Sequence, residues 1–204
     1  MYRIKATFHS LLLWLITITL VSAQPGEPLF TDPIGVQAYT FRNYFPKGMI
    51  ETLDTIEALG FTSIEGGGGR ISPDDFRKLC EDRGISIPST GADYDELVKD
   101  AQAVADRAKI LGADYVMCAW IPHERGHFNI ENAKQAIEDF NKMGKILADN
   151  GLTFCYHAHG YEFWPHEDGT LLDFIIANTD PRYVFFEMDI LWIHFGGGDP
   201  VTLL

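Results

Sequence analysis

The chain has 204 residues, with 29 acidic and 16 basic side chains and a formal charge of −13 at neutral pH. A surface this acidic repels phosphate backbones and anionic lipid, which argues against DNA, RNA or a membrane surface as partner. Cys80, Cys118 and Cys155 are odd in number and lack CxxC spacing, so they suit neither a zinc site nor a disulfide framework and read as small core residues.

Residues 1–23 have the build of a secretory signal peptide: Arg3 and Lys5 give a basic start, Leu11 to Val21 is apolar, and Val21-Ser22-Ala23 offers small residues for cleavage before Gln24. The apolar run is short of the about 20 residues that span a bilayer. The expectation is export to the periplasm or beyond the cell, with no membrane attachment after cleavage; an uncleaved anchor is the alternative. Cleavage removes Arg3 and Lys5 and no acid, leaving 14 basic against 29 acidic residues, a formal −15. Residues 24–33, rich in Pro and Gly, read as a linker, and 34–204 as the folded domain.

From Ile34 onward short apolar strands alternate with amphipathic helices, the pattern of parallel strands joined by right-handed crossovers. The first strand is read at Ile34 to Tyr39, and Ile50, Leu53, Ile56 and Leu59 mark the first helix, closed by Gly60. The second strand, Phe61 to Glu65, runs into Gly66 to Gly69, read as a turn over the sheet's C-terminal edge. Ser72 then supplies an N-cap, Pro73 the first helical position, and Asp74 and Asp75 a first turn of acids, before Phe76, Leu79 and a stop at Gly84. The third strand is Ile85 to Ser89. The third helix runs from about Asp95 to Leu111, with Leu97, Ala101, Val104, Ala108 and Leu111 on one face and Gly112 at its end. After a fourth strand at Tyr115 to Trp120, Asn129 caps a helix whose buried stripe is Ala133, Ile137, Phe140, Gly144 and Leu147, ended by Gly151. Strands five (Leu152 to His157) and six (Tyr183 to Asp189) flank a helix from Thr170 to Ala177, and Asp199-Pro200-Val201 opens a sixth helix.

That makes six βα units, where a (β/α)8 TIM barrel has eight, and the chain is read as α/β, a barrel broken off before completion. A six-stranded doubly wound sheet is the rival. Its dinucleotide fingerprint is missing, because Gly66 to Gly69 has no GxGxxG spacing and no phosphate-binding lysine follows.

Working residues in such a barrel lie at the C-terminal ends of the strands. Those positions hold Tyr39 to Arg42, Glu65, Trp120 with His123, the run Tyr156-His157-Ala158-His159-Gly160-Tyr161-Glu162, Glu187-Met188-Asp189, and His194 just beyond. Strand alternation points His157 and His159 the same way. Two imidazoles and the Glu162 carboxylate can bind a divalent metal or carry protons; the alternative has the histidines bonded to backbone and Glu162 solvated. Asp189 follows the apolar Val184-Phe185-Phe186, where an unpaired carboxylate is costly, and is read as a metal ligand. Glu187 shares its side of the strand, so one of the two carboxylates can brace the other. Trp164 and Trp192 offer flat faces for a sugar ring or for core packing.

The runs Ile34-Gly35-Val36-Gln37-Ala38-Tyr39-Thr40-Phe41-Arg42, Gly60 to Glu65, Tyr156 to Phe163, Met188-Asp189-Ile190-Leu191-Trp192 and Gly197-Gly198-Asp199-Pro200 together resemble the sugar phosphate isomerase/epimerase family, the xylose isomerase-like TIM barrels. The resemblance covers Ile34 to Leu204. It implies a divalent metal, Mn before Mg, Co or Zn, held at the ends of strands five to eight, with flanking carboxylates moving a proton next to a carbonyl. Asp189 matches the strand-six ligand. At strand five, where the family usually has Glu, stands His157 with Glu162 nearby, and which of them binds metal and which acts as acid/base is open. Glu65, Tyr39 and His159 are expected to line the substrate site, joined by Trp120, Trp192 and His194. The family's strand-seven His and strand-eight Glu have no counterpart in these residues, so weak metal binding and little turnover are expected. The implied activity is an exported, metal-dependent isomerase or epimerase of a small-molecule sugar or keto-sugar, with homo-oligomers allowed. A lyase is the alternative, because His194 to Pro200 also resembles the inosose dehydratase branch; a non-catalytic sugar-binding barrel is another.

Overall fold

The structure, a computed structural model, describes residues 34–203. The signal peptide read at 1–23 and the linker at 24–33 lie outside the described residues. Six strands form one parallel sheet in chain order: β1 (Val36–Gln37), β2 (Ser63–Glu65), β3 (Ser86–Gly91), β4 (Tyr115–Cys118), β5 (Thr153–His157) and β8 (Val184–Glu187). Each strand of this sheet lies beside the one before it, in parallel. The connections between strands carry α1 (Met49–Ala58), α2 (Pro73–Glu81), α3 (Tyr94–Leu111), α4 (Ile130–Asp149) and α5 (Leu171–Asn178). A small antiparallel pair, β6 (Pro165–His166) with β7 (Gly169–Thr170), precedes α5, and α6 (Ile190–Phe195) and α7 (Pro200–Leu203) follow β8.

The helices begin where side chains can take up the free amides of a first turn. Ser72 Oγ accepts from the Asp75 amide at 3.1 Å, with Pro73 in the first helical position. Asn129 Oδ1 accepts from Glu131 and Asn132 amides while Asn132 answers with its own side chain on the Asn129 amide, a reciprocal cap that Thr170 and Asp173 repeat on α5. Inside α3 the backbone departs from helix at Asp100 (φ −156°, ψ 76°), and Asp100 Oδ1 accepts from the Ala103 amide, a fresh cap that restarts the helix after a kink.

Alternation along the strands separates two faces. Phe154 and Tyr156 of β5 lie against Phe140 of α4, with ring centroids 5.2 and 4.9 Å apart, in a core that also holds Val104, Leu147 and Val184. Full burial of a ring such as Phe140 contributes about 1.5–3 kcal/mol. A second core of Leu53, Ile56, Ile64, Phe76 and Cys80 fills the space between α1, α2 and β2. The cysteines are free, Cys80 and Cys118 buried and Cys155 partly so, as the sequence led us to expect. Gly144 lets α4 approach the chain entering β8, since a Cβ there would stand 2.5 Å from the Tyr183 carbonyl oxygen.

The opposite face carries Glu65, Cys155, His157 and Glu187. The charge of Glu65 on β2 reaches the Glu187 carboxyl on β8 although three strands separate β2 from β8. Only a curled sheet brings them together, which is the curvature of a barrel wall.

Two of the differences from the sequence expectation bear on the site. The first strand ends at Gln37, and Ala38–Phe41 winds into a 3-10 turn. The sixth ends at Glu187, and Asp189 caps α6 instead of extending the strand.

Candidate active site

His157 closes β5, and the residue is only 4% exposed. Nδ1 stands 3.5 Å from Glu187 Oε1 and Nε2 3.2 Å from Asp189 Oδ2. These are ion-pair distances without the alignment of hydrogen bonds, and both ring nitrogens lack a hydrogen-bond partner. Burial, followed by the neighbouring His159, pushes the imidazole below its usual 6.5, against the pull of Asp189 and Glu65. Each ring nitrogen thus faces a carboxylate. A buried polar group left without a partner costs about 1–3 kcal/mol, so this arrangement calls for a ligand.

The carboxylates come from three places. Glu187 pairs in register with His157 across β5 and β8. Burial, the charge of Glu65, hydrogen bonding to Glu65 and the charge of Asp189 push its carboxyl up to about 7. Glu65 is steadied by Gln37, whose Nε2 donates to Glu65 Oε1 at 2.9 Å from the adjacent strand position. Asp189 divides its oxygens: Oδ1 accepts from the Leu191 and Trp192 amides at the start of α6, and Oδ2 faces His157.

Aromatic rings form one wall. His159 stacks on His157 with centroids 4.6 Å apart, confirming that the two share a face, and meets Trp192 at 4.9 Å and the edge of Trp120 at 6.5 Å. Trp120 in turn stacks on His123 at 4.5 Å.

Four expected site residues stand elsewhere. Glu162 is 0% exposed, so it is not solvated. It accepts from the Tyr156 hydroxyl and, on both oxygens, from the His159 amide at 3.1 Å. Tyr156 meets the Tyr161 hydroxyl at 2.8 Å, which accepts from the Ile121 amide, tying the loop after β5 to the loop after β4. The left-handed turn at Gly160 (φ 92°) and the short 3-10 turn behind it swing Glu162 away from His157. Its oxygens thus hold the His159 turn in place rather than serving as ligand or acid/base. Tyr39 is 67% exposed under the Arg42 guanidinium, because β1 has already ended. His194 is exposed on α6, two residues past the inward-facing Trp192. Trp164 is likewise exposed, beside the small hairpin.

His157, Glu187 and Asp189, with Glu65 behind them, form a mixed imidazole and carboxylate donor set of the kind that suits a divalent cation. The crowding of carboxylates that raises Glu187 fits the same charge. Among the described residues no three His, Cys, Asp or Glu side chains already converge in coordinating geometry, so these donors would have to draw together on binding. Gln37 and the pairing of Glu65 with Glu187 were missed from the sequence. The signal for Gln37 was its place two residues before Tyr39, on the strand beside Glu65.

A curled parallel sheet with ionisable side chains gathered at the C-terminal ends of its strands is the build of a TIM-barrel wall. Residues 53–203 match the family model described as Xylose isomerase-like TIM barrel, and the chain belongs to that family. It is 25% identical over 149 residues to an inosose dehydratase of Clostridium botulinum, covering 63% of this chain and 49% of that protein. The chain thus spans about half the length of the curated relatives it matches. Among solved structures, a sugar phosphate isomerase/epimerase from Parabacteroides distasonis superposes with a TM-score of 0.72 at 24% identity, over 86% of this chain and 74% of that one. A xylose isomerase-like TIM barrel protein from Mycobacterium smegmatis, in complex with magnesium, gives 0.61 at 19% identity, over 78% and 65%.

Proposed function

We propose that the chain acts as an exported, metal-dependent isomerase or epimerase on a sugar or keto-sugar, moving a proton next to a carbonyl. The observation that carries this reading is His157, buried with both nitrogens unpartnered and faced by Glu187 and Asp189. Export rests on the leader-like residues 1–23. The magnesium in the Mycobacterium smegmatis neighbour supports a divalent ion in this class of barrel.

His157 and Asp189 would hold the ion, with Glu187 at its edge; when bound, it polarises the substrate carbonyl or hydroxyl. The Glu65 and Glu187 carboxyls adjoin one another and can share one proton, so one accepts a proton from the carbon beside the carbonyl while the other can return one. Gln37 keeps Glu65 turned toward that position. His159, Trp192 and Trp120 present ring faces to the apolar side of a sugar and shield the site from water.

The test is deuterium exchange in D2O with D-fructose, D-xylulose and inosose, with and without Mn²⁺. Incorporation at the carbon next to the carbonyl, abolished by EDTA, is expected for at least one substrate. Exchange that ignores EDTA, or none from folded protein, would sink the proposal. A second reading, a lyase, is favoured by the inosose dehydratase relatives. It is recognised in the same experiment by loss of water from inosose.

A further inference from the structure

A cleft of about 710 Å³ opens beside the cluster, among the loops that follow β2, β3 and β4. That volume lies in the about 300–1,000 Å³ range of pockets for drug-sized ligands and exceeds what one pyranose ring fills. Trp120 belongs to both places: it lines the cleft, and its ring meets His159 of the cluster. At 43% exposed, its indole is partly open to a ligand while His123 stacks on it from the protein side.

Glycine keeps the far wall low. Gly67 (φ 127°) has no room for a side chain, since a Cβ there would run into the Phe76 ring, so the loop meets the cleft as bare backbone. Charge then selects the ligand. Asp93, Asp95 and Glu96 line the cleft against one cation, Arg107, and both ends of the Arg107 fork are engaged by the Glu96 carboxylate. An anionic group entering here would meet like charge with no free cation among the lining residues. A neutral ring can donate its hydroxyls to Asp93 and Asp95 and lay its apolar face on Trp120.

Resting on the reading of a sugar-modifying site, we infer that the cleft is a subsite for a second, uncharged sugar ring. The substrate is then a neutral glycoside whose reacting ring sits at His157 and Glu187 and whose other ring sits on Trp120. Phosphorylated sugars are excluded from the subsite by its charge.

Isothermal titration of the Mn²⁺-loaded chain with cellobiose, lactose and maltose, against glucose and galactose, reads the subsite directly. At least one disaccharide is expected to bind about tenfold or more tightly than either monosaccharide. Asp95→Trp puts an indole into the cleft from an exposed position in the first turn of α3, and brings that ratio to near one. Asp93→Trp does the same from an N-cap whose side chain makes no capping bond, and circular dichroism checks that each variant is folded. Equal affinities for mono- and disaccharides, an undiminished ratio in both folded variants, or no binding of any of the five sugars overturns the inference. Deuterium exchange into a free ketose persists if only the subsite is wrong and vanishes if the proposed reaction is wrong, so the two failures are told apart.

Discussion

The imidazole of His157 is costly as it stands, because burial strips water from both nitrogens while the carboxylates of Glu187 and Asp189, at 3.5 and 3.2 Å, are not aligned to hydrogen-bond with them. Glu162, five residues on, is buried as completely but satisfied on every side. That contrast separates a group awaiting a ligand from a group holding a loop. Tyr156→Phe removes one donor from the buried Glu162 carboxylate and should lower stability by about 1–3 kcal/mol in urea unfolding; an unchanged midpoint would count against the network. The Arg107 guanidinium holds the Glu96 carboxyl below its usual 4.5. The folded value is depressed, so this stabilisation is fully present above pH 4.5 and is lost as pH falls through the folded value. Glu96→Gln should therefore lower stability at neutral pH and flatten the acid limb, with the two stability–pH curves converging at low pH where the carboxyl is protonated. His157 could be read from the sequence because strand alternation assigns its side, whereas His159 and Asp189 lie just past the ends of β5 and β8 and were read from their nearness to those ends. Glu162 and Tyr39 could not, since a left-handed residue at Gly160 and an early end to β1 reset the phase.

At the scale of elements, the helix starts were the most legible features. Ser72 and Asn129 announce them by chemistry that acts within four residues, and both caps form as the sequence implies, while Thr170, read as the first residue of its helix, caps α5 as well. The passage from β8 to α6 was hidden, because Val184 to Phe195 runs through both with neither Gly nor Pro to mark the change. Asp189 is the only signal there, and it serves as cap and as neighbour of His157 at once. Contact between elements also overrides local preference. Gly144→Ala should gain about 1 kcal/mol of helix propensity, yet the added Cβ meets the Tyr183 carbonyl oxygen at 2.5 Å. Overpacking of this kind costs about 1–3 kcal/mol, so thermal unfolding should show net destabilisation; a raised Tm would mean that α4 and β8 can separate freely.

Over the whole molecule, the six-unit alternation and the gathering of ionisable residues at one end of the sheet were both visible in the sequence. The curl that brings Glu65 to Glu187 was not, since it depends on strand twist accumulated across the sheet. It makes one site of residues more than 120 positions apart in the chain. The central claim is that His157 and Asp189 form the heart of a divalent-cation site, with Glu162 only bracing it. Calorimetric titration with Mn²⁺ tests it most directly. One ion should bind per chain, with His157→Ala and Asp189→Ala each losing at least tenfold in affinity and Glu162→Gln keeping an affinity within about threefold of the unsubstituted chain. Binding that survives both alanine substitutions, or collapses only in Glu162→Gln, would contradict the account.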